Sequence, residues 1–316
     1  MPKKIKKSKC VYYGNILQDR LNSKWMDAKL NTDAIDNILE NYSTLTKSGK
    51  KIADYILSHV TETQYMSINN LSEESNVAQA TISRFCRELG YEGYNDFKLG
   101  LAKSYIQRKN GNSYDENLYE AINNNDSIDN MCKKLLNTNV GALTHTLDLL
   151  DEKAIIKATD VLCEAKRVHC IGQGSSQIMA LAAWGRFLTV DSKFTCIQDS
   201  HLQAIAVSLL KSDDVILCFS YSGATKDLLD VLPFAKTLGI KIILVTHFKK
   251  SPASEYADII FLCGSTEGPL QMGSIATKIS ELFIIDVIFH EYCRRNTEMT
   301  TNNKVLTSDA LANKLL

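Results

Sequence analysis

Short apolar runs alternate with segments of helical spacing from residue 166 to residue 293. Continuous apolar runs are typical of strands buried on both faces, and helices between such strands favour a parallel sheet. The predicted order is strand 167–171, helix 176–190, strand 193–197, helix 202–210, strand 214–219, helix 226–238, strand 240–245, strand 258–262 and helix 273–293. The pattern predicts an α/β domain with helices on both faces of the sheet, and its ligands are expected at the carboxyl ends of the strands.

The rest of the chain lacks this alternation, and 316 residues are more than one typical domain needs. Apolar residues at helical spacing predict an all-α domain ahead of the sheet. The predicted organisation is a lysine-rich, disordered extension at 1–32, the all-α domain at 33–106, a polar, asparagine-rich linker at 107–127, the α/β domain with its lead-in helix at 128–293, and a C-terminal tail at 294–316.

Charge and hydropathy exclude several classes of protein. The formal net charge is zero, and residues 33–106 hold 7 basic against 10 acidic side chains, so charge alone does not indicate nucleic-acid binding. The chain shows no apolar run of about 18 residues and no secretory signal, which predicts a cytoplasmic protein without membrane contact. Nine scattered cysteines without a C-x-x-C pair indicate reduced thiols, with no disulfide framework and no metal site.

Two hydroxyl-rich loops follow predicted strands. Ser220, Ser222 and Thr225 lie with Gly223 between an apolar strand and a helix. Unpaired backbone amides and the positive end of the helix dipole make such a junction a site for phosphate, and hydroxyl groups add donors. The second loop, residues 172–176, contains Gly174, Ser175 and Ser176 after another strand. A single loop of this kind is more simply explained as a turn and a helix cap, but two at equivalent positions favour a phosphate site.

Neither loop fits a nucleotide cofactor. Residues 172–174 begin like the dinucleotide fingerprint, but Gln177 occupies the position of its third glycine. No Gly-Lys-Ser/Thr sequence follows either loop, which excludes a P-loop. We therefore expect no cofactor.

The all-α domain contains a candidate helix-turn-helix. Residues 68–76 have the pattern of a short amphipathic helix, 77–79 that of a turn and 80–89 that of a second helix. The second helix has an apolar face, and its other faces carry polar side chains that suit base edges and phosphates: Gln79, Thr81, Ser83, Arg84 and Arg87. The pattern alone is equally compatible with the solvated surface of an ordinary helical bundle.

Residues 151–290 resemble a sugar isomerase (SIS) domain, in which a G-x-G-S-S loop and an S-x-S-G-x-T loop hold a phosphosugar. Both loops match here at every hydroxyl position. The segment 267–278 also resembles the closing element of that family, although a capped helix with a solvated lysine explains it equally well. The resemblance implies an effector site formed by Gly174, Ser175, Ser176, Ser220, Ser222, Gly223, Thr225, Glu267 and Lys278.

Residues 45–57, 80–91, 93 and 94 are similar to the DNA-binding domain of RpiR-family transcriptional regulators, which join that domain to a C-terminal SIS domain. Both parts occur here in that order. The sequence departs from the family pattern at Ala78, where a capping serine is common, at Asn76, where a glycine is common, and at 1–32. The resemblance implies a DNA operator and a phosphosugar effector as partners.

SIS domains also occur in aldose–ketose isomerases, which need a general base near the sugar. His201 and Glu267 are the candidates for that role if the chain is an enzyme. The fused helix-turn-helix favours a regulator, so no catalytic residue is assigned. Regulators of this type read paired half-sites, which predicts a homodimer or homotetramer. The sugar is not defined by the motifs.

Overall fold

The computed structural model of the protein describes residues 33–109, 122, 125–264, 274–312 and 314. These residues form two compact units: one comprises 33–64 and 75–109, and the other comprises 65–74, 122, 125–264, 274–312 and 314. The predicted extension at 1–32, most of the predicted linker and Glu267 lie outside the described residues.

Residues 33–109 are mainly helical, as the spacing predicts. Its helices are α1 (Ala34–Asn41), α2 (Lys47–Ser58), α3 (Val60–Thr63), α4 (Ile68–Ser75), α5 (Gln79–Glu88) and α6 (Tyr94–Lys109). Asp33 and Thr46 cap α1 and α2 by accepting hydrogen bonds from first-turn amides. Buried Phe85 and Phe97 pack edge to face, with 6.1 Å between their ring centroids. These contacts join α5 to α6 in the core of the first unit.

The second unit contains the predicted parallel sheet. After α7 (Ile128–Leu149) and α8 (Glu152–Glu164), its elements are β1 (Val168–Ile171), α9 (Ser175–Leu188), β2 (Phe194–Cys196), α10 (Ser200–Ser208), β3 (Val215–Phe219), α11 (Lys226–Thr237), β4 (Lys241–Thr246), β5 (Ile259–Leu262), α12 (Ile275–Arg295) and α13 (Thr297–Ala312). The strand order is β2-β1-β3-β4-β5, and every adjacent pair is parallel. The α/β fold class is therefore confirmed.

Strand β3 shows why the apolar run is continuous. All five of its residues are buried. Val215, Leu217 and Phe219 belong to one core with residues of α8, α9 and α12, whereas Ile216 and Cys218 belong to another with residues of α10 and α11. Because successive side chains of a strand point to opposite faces, a strand covered on both faces is apolar at every position.

The structure differs from the predicted elements mainly at their ends. Strand β2 is shorter than predicted, and α10 begins two residues earlier because the Asp199 carboxylate accepts a hydrogen bond from the Leu202 amide as an N-cap. In the predicted C-terminal tail, Thr297–Ala312 forms α13, whose weak apolar periodicity did not indicate a helix. Among the described helices, none has the length and apolarity that crossing a bilayer requires.

Candidate functional site

The strand order places both serine loops beside one crevice. The chain leaves β1 towards β2 on one side, and β3 lies on the other side of β1. Such a change of direction opens a crevice at the carboxyl ends of β1 and β3, where open α/β sheets bind ligands. The two loops follow β1 and β3, so the sheet brings them together from positions about 45 residues apart.

The first loop begins α9. Gly174 precedes the helix with φ +57° and ψ −125°, a conformation that residues with a side chain rarely adopt. Ser175 and Ser176 then form the first turn, in which Ser175 is exposed and Ser176 is 6% exposed. The loop therefore presents helix amides and one accessible hydroxyl at the end of β1.

The second loop is held close to β4. The Ser220 amide donates to the Val245 carbonyl at 3.0 Å, and Ser220 is 3% exposed. The Ser222 hydroxyl oxygen accepts a hydrogen bond from the Ala224 amide at 3.2 Å. Thr225 occupies the N-cap position of α11, but its side chain makes no capping hydrogen bond. The hydroxyl of Thr225 is thus not committed to the helix that it precedes.

Residues that the motifs did not indicate support this second loop. The hydroxyl of Thr246 and the amide of His247 both donate to the Tyr221 carbonyl at 3.0 Å. The Tyr221 and His247 rings stack with centroids 5.0 Å apart. A Cβ on Gly223, which has φ +59°, would lie 2.1 Å from Oγ of buried Ser251. Tyr221 lies in the loop itself, and the sequence signal for the other three residues was their position at or just after the end of β4, at the same edge of the sheet.

Lys278, at the start of α12, was expected to be solvated if residues 267–278 were only a capped helix. The lysine is buried, so this part of the alternative is wrong. Its side chain is 10% exposed, and Nζ lies 2.8 Å from Oε2 of the fully buried Glu281. The other part of the same alternative is right, because the Ser274 hydroxyl caps α12 by accepting from the Thr277 amide. Two charged groups are tolerated at a buried site when they pair with each other, because a single buried charge would lose its hydration without a partner.

The isomerase alternative has two candidate bases, His201 and Glu267. His201 is exposed in the first turn of α10. Glu267 lies outside the described residues.

Burial raises the pKa of the Cys196 thiol near the first loop, and the Gln177 side chain, which donates to its sulfur, offsets this only in part. In the described part of the chain, no three His, Cys, Asp or Glu side chains are grouped to hold a metal ion.

Helix α5 separates an apolar face from a polar one. Ile82, Phe85 and Cys86 are buried. The candidate DNA-binding residues lie elsewhere on the helix: Gln79, Arg84 and Arg87 are exposed, and Thr81 and Ser83 are partly exposed. Gln79, Ser83 and Arg87 are spaced four residues apart and therefore form one row along the helix.

The turn before α5 has the geometry that a left-handed residue provides. Asn76 has φ +50°, and asparagine tolerates this conformation better than most residues with a side chain. Ala78 is the N-cap residue, with φ −60°, ψ 143° and no side-chain cap. Gln79 is the first helical residue rather than part of the turn, and α5 ends at Glu88 before Gly90, which has φ +88°.

Comparisons with known proteins match both parts of the chain. The helix-turn-helix domain of the rpiR family matches residues 32–108, and the SIS domain matches residues 161–291. An uncharacterized HTH-type transcriptional regulator of Clostridium perfringens is 32% identical over 268 residues, covering 85% of this chain and 95% of that protein. The HTH-type transcriptional regulator HexR of Escherichia coli K12 is 28% identical over 277 residues, covering 88% and 93%.

Solved structures share the fold. The Vibrio vulnificus NanR protein, complexed with ManNAc-6P, has a TM-score of 0.78 and 24% identity, covering 90% of this chain and 100% of that one. A putative sugar-phosphate isomerase from Listeria monocytogenes has a TM-score of 0.51 and 19% identity, covering 57% and 98%. With both domains matched in order, and with relatives matched along nearly their whole length, this chain belongs to the rpiR family of helix-turn-helix transcriptional regulators with an SIS domain.

Proposed function

We propose that this regulator binds a phosphorylated sugar between its two serine loops and that the bound sugar changes its affinity for a specific DNA operator. The observation that supports this most is the position of both loops at the β1/β3 crevice. NanR, which shares the fold, is described in complex with ManNAc-6P, a ligand of this class.

The phosphate would occupy the second loop. A phosphate accepts hydrogen bonds, and the start of α11 offers helix amides beside the hydroxyls of Ser220, Ser222 and Thr225. Gly223 allows the backbone to approach the ligand closely. The first loop, with Gly174, Ser175 and Ser176, would contact the phosphate and the adjacent part of the sugar.

The sugar hydroxyls would lie towards the start of α12. Lys278 is held there by Glu281, which fixes the direction of its ammonium group. We propose Lys278 and Glu267 as the groups that contact this part of the ligand. We expect binding without isomerisation, and NMR spectra of sugar phosphates incubated with the protein test this. Turnover that His201→Ala abolishes would contradict a role in binding alone.

The operator would be read by α5. Gln79, Ser83 and Arg87 form a row along it that is exposed at Gln79 and Arg87 and partly exposed at Ser83, and exposed Arg84 lies beside that row. Glutamine suits the hydrogen-bonding edge of adenine, and arginine suits guanine or a phosphate. Thr81, on the flank of the helix, would contact the DNA backbone.

A crossed pair of variants tests the two sites. Ser222→Ala/Thr225→Ala is expected to weaken sugar-phosphate binding by at least about 100-fold, because hydrogen bonds to a charged group contribute about 1.5–3 kcal/mol each. It should leave operator affinity of the ligand-free protein within about twofold. Arg84→Ala should do the reverse. Calorimetry with sugar phosphates and mobility-shift titrations with operator DNA measure both quantities for each variant.

The matched control is Ser208→Ala/Thr237→Ala, which removes two hydroxyls from exposed helix ends outside the crevice. It should behave as the wild type in both titrations. An effector response that persists in Ser222→Ala/Thr225→Ala would contradict the proposed phosphate site.

The proposed regulator is a homo-oligomer. Along α7, Leu136, Val140 and Leu147 are 61%, 50% and 59% exposed, and Leu143 lines an adjoining groove of about 420 Å³ against α12. An apolar row of this length is typical of a protein interface. Val140→Glu should shift the mass measured by light scattering towards the monomer, whereas Thr144→Glu, on an exposed residue beside the row, should not. A monomeric wild type would contradict this assignment.

A further inference from the structure

A buried glutamine connects α10 to the first serine loop. Gln203 is 2% exposed, although glutamine is usually a surface residue. Its Oε1 accepts a hydrogen bond from Nε2 of Gln173 at 2.7 Å, and its Nε2 donates to the carbonyl of Ile197 at 2.6 Å. Because a carbonyl oxygen only accepts, the contact with Ile197 fixes which end of the Gln203 amide is the donor.

The second proton on Nε2 of Gln203 faces the first loop. Nε2 lies 3.2 Å from Oε1 of Gln177 and 3.4 Å from the carbonyl of Gly172. The side chain thus contacts Gly172 and Gln173, which follow β1, and Gln177 in the first turn of α9. Its bond to Ile197 connects all three to the residue that follows β2.

The contacted residues flank the two serines of the loop in sequence. Ser175 and Ser176 lie in sequence between Gln173 and Gln177, so fixing both of these residues restricts where the hydroxyls point. An apolar side chain would fill the same space without the cost of burying an amide. The amide is useful where a particular loop conformation must be held, since a satisfied polar network specifies one arrangement.

We propose that Gln203 is a positioning residue, which holds the first serine loop in its ligand-binding conformation before the ligand arrives. The consequence for affinity rests on the proposed phosphosugar function. The consequence for the loop itself does not, because it concerns the ligand-free protein. A loop ordered in advance binds more tightly because less conformational entropy is lost on binding.

Gln203→Leu tests this in the full-length protein. Hydrogen exchange of the amides of residues 172–177 in the ligand-free protein should become at least tenfold faster. Binding of glucosamine 6-phosphate or N-acetylmannosamine 6-phosphate, whichever the wild type binds, should weaken about tenfold, the size expected for one buried hydrogen bond. Gln198→Leu, the same change at a nearby exposed glutamine, is the matched control and should change neither quantity.

Gln203→Glu adds a readout that a mere space-filling role would not change. At a pH high enough to ionise this buried carboxyl group, the side chain has no proton to donate to the Ile197 carbonyl, so exchange in the loop should be fast. When acid protonates the carboxyl group, it can donate again, and exchange corrected for its intrinsic pH dependence should slow towards the wild-type rate. If Gln203→Leu does not fold, Gln173→Leu removes one bond of the same network at a partly exposed position.

Unchanged exchange in residues 172–177 of these variants would overturn the positioning role, whether or not a phosphosugar binds. Faster exchange without acid recovery in Gln203→Glu would also overturn it. A wild-type protein that binds no sugar phosphate would count against the proposed function, and the exchange measurement would then still decide the role of Gln203.

Discussion

At the scale of single residues, Gly223 shows how one position combines two requirements. Its φ of +59° disfavours any residue with a Cβ, and that Cβ would also lie 2.1 Å from the Ser251 hydroxyl oxygen. The Gly223 carbonyl accepts a hydrogen bond from the Ala253 amide at 2.8 Å, so the same residue joins the second loop to the segment after β4. A side chain at this position would displace the loop, because it would contact Ser251 and could not extend into solvent.

Gly223→Ala should lower the free energy of unfolding by about 2 kcal/mol and remove sugar-phosphate binding, because left-handed strain and the clash with Ser251 act together. Chemical denaturation and calorimetry measure the two effects. Gly185→Ala is the matched control: Gly185 is exposed within α9, with no atom within 4 Å of a new Cβ, and alanine should stabilise that helix by about 0.5–1 kcal/mol. Equal behaviour of the two variants would contradict this account of Gly223.

At the scale of elements, α5 begins without the side-chain cap that most helices use. Ala78 already has N-cap dihedral angles, and its carbonyl accepts hydrogen bonds from the amides of Thr81 and Ile82. Only a side-chain oxygen is missing. Because the polar row of α5 starts at Gln79, fraying of the first turn would move a candidate base-contacting residue.

Ala78→Ser should stabilise the first unit by about 1 kcal/mol, since serine would accept a hydrogen bond from a first-turn amide. Hydrogen exchange of the amides at residues 79–82 should slow, and operator affinity should rise or stay unchanged. Ala80→Ser places the same residue inside α5, where it should cost about 0.5 kcal/mol. Stabilisation by Ala80→Ser as large as that by Ala78→Ser would show that the cap is not the cause.

At the scale of the whole molecule, the proposed function places the effector and the operator on different parts of one chain. If the effector changes operator affinity by some factor, the operator must change effector affinity by the same factor, because both describe one coupling free energy. The size of the factor is limited by how differently the ligand binds the two states of the protein.

Calorimetric titration of the effector, with and without saturating operator DNA, should therefore give a ratio of dissociation constants equal to the ratio found in mobility-shift titrations of DNA with and without effector. The effector alone, at about 100 times its dissociation constant, should stabilise the protein by about 2.7 kcal/mol. Arg84→Ala should retain this stabilisation. Unequal ratios, measured in the same buffer and salt, would rule out simple two-site coupling.

The parallel α/β sheet and the two serine loops could be predicted from the sequence pattern, and the helix-turn-helix could be predicted from its pattern together with the family resemblance. Each depends on local order along the chain: buried strands such as β3 are apolar at every position, and Asn76 occurs where the turn needs a left-handed residue. Element ends were less predictable because caps such as Asp199 compete with the apolar pattern.

Only the tertiary structure decided which distant segments of the chain lie close together. The order β2-β1-β3-β4-β5 puts the two loops at one crevice, and strand order is not contained in the periodicity of any strand. Gln203 contacts Gly172 across 31 residues of sequence, and Lys278 proved to be buried against Glu281 rather than solvated. The Gln203 contact and the burial of Lys278 depend on packing between distant segments, whereas sequence patterns report the physics of neighbouring residues.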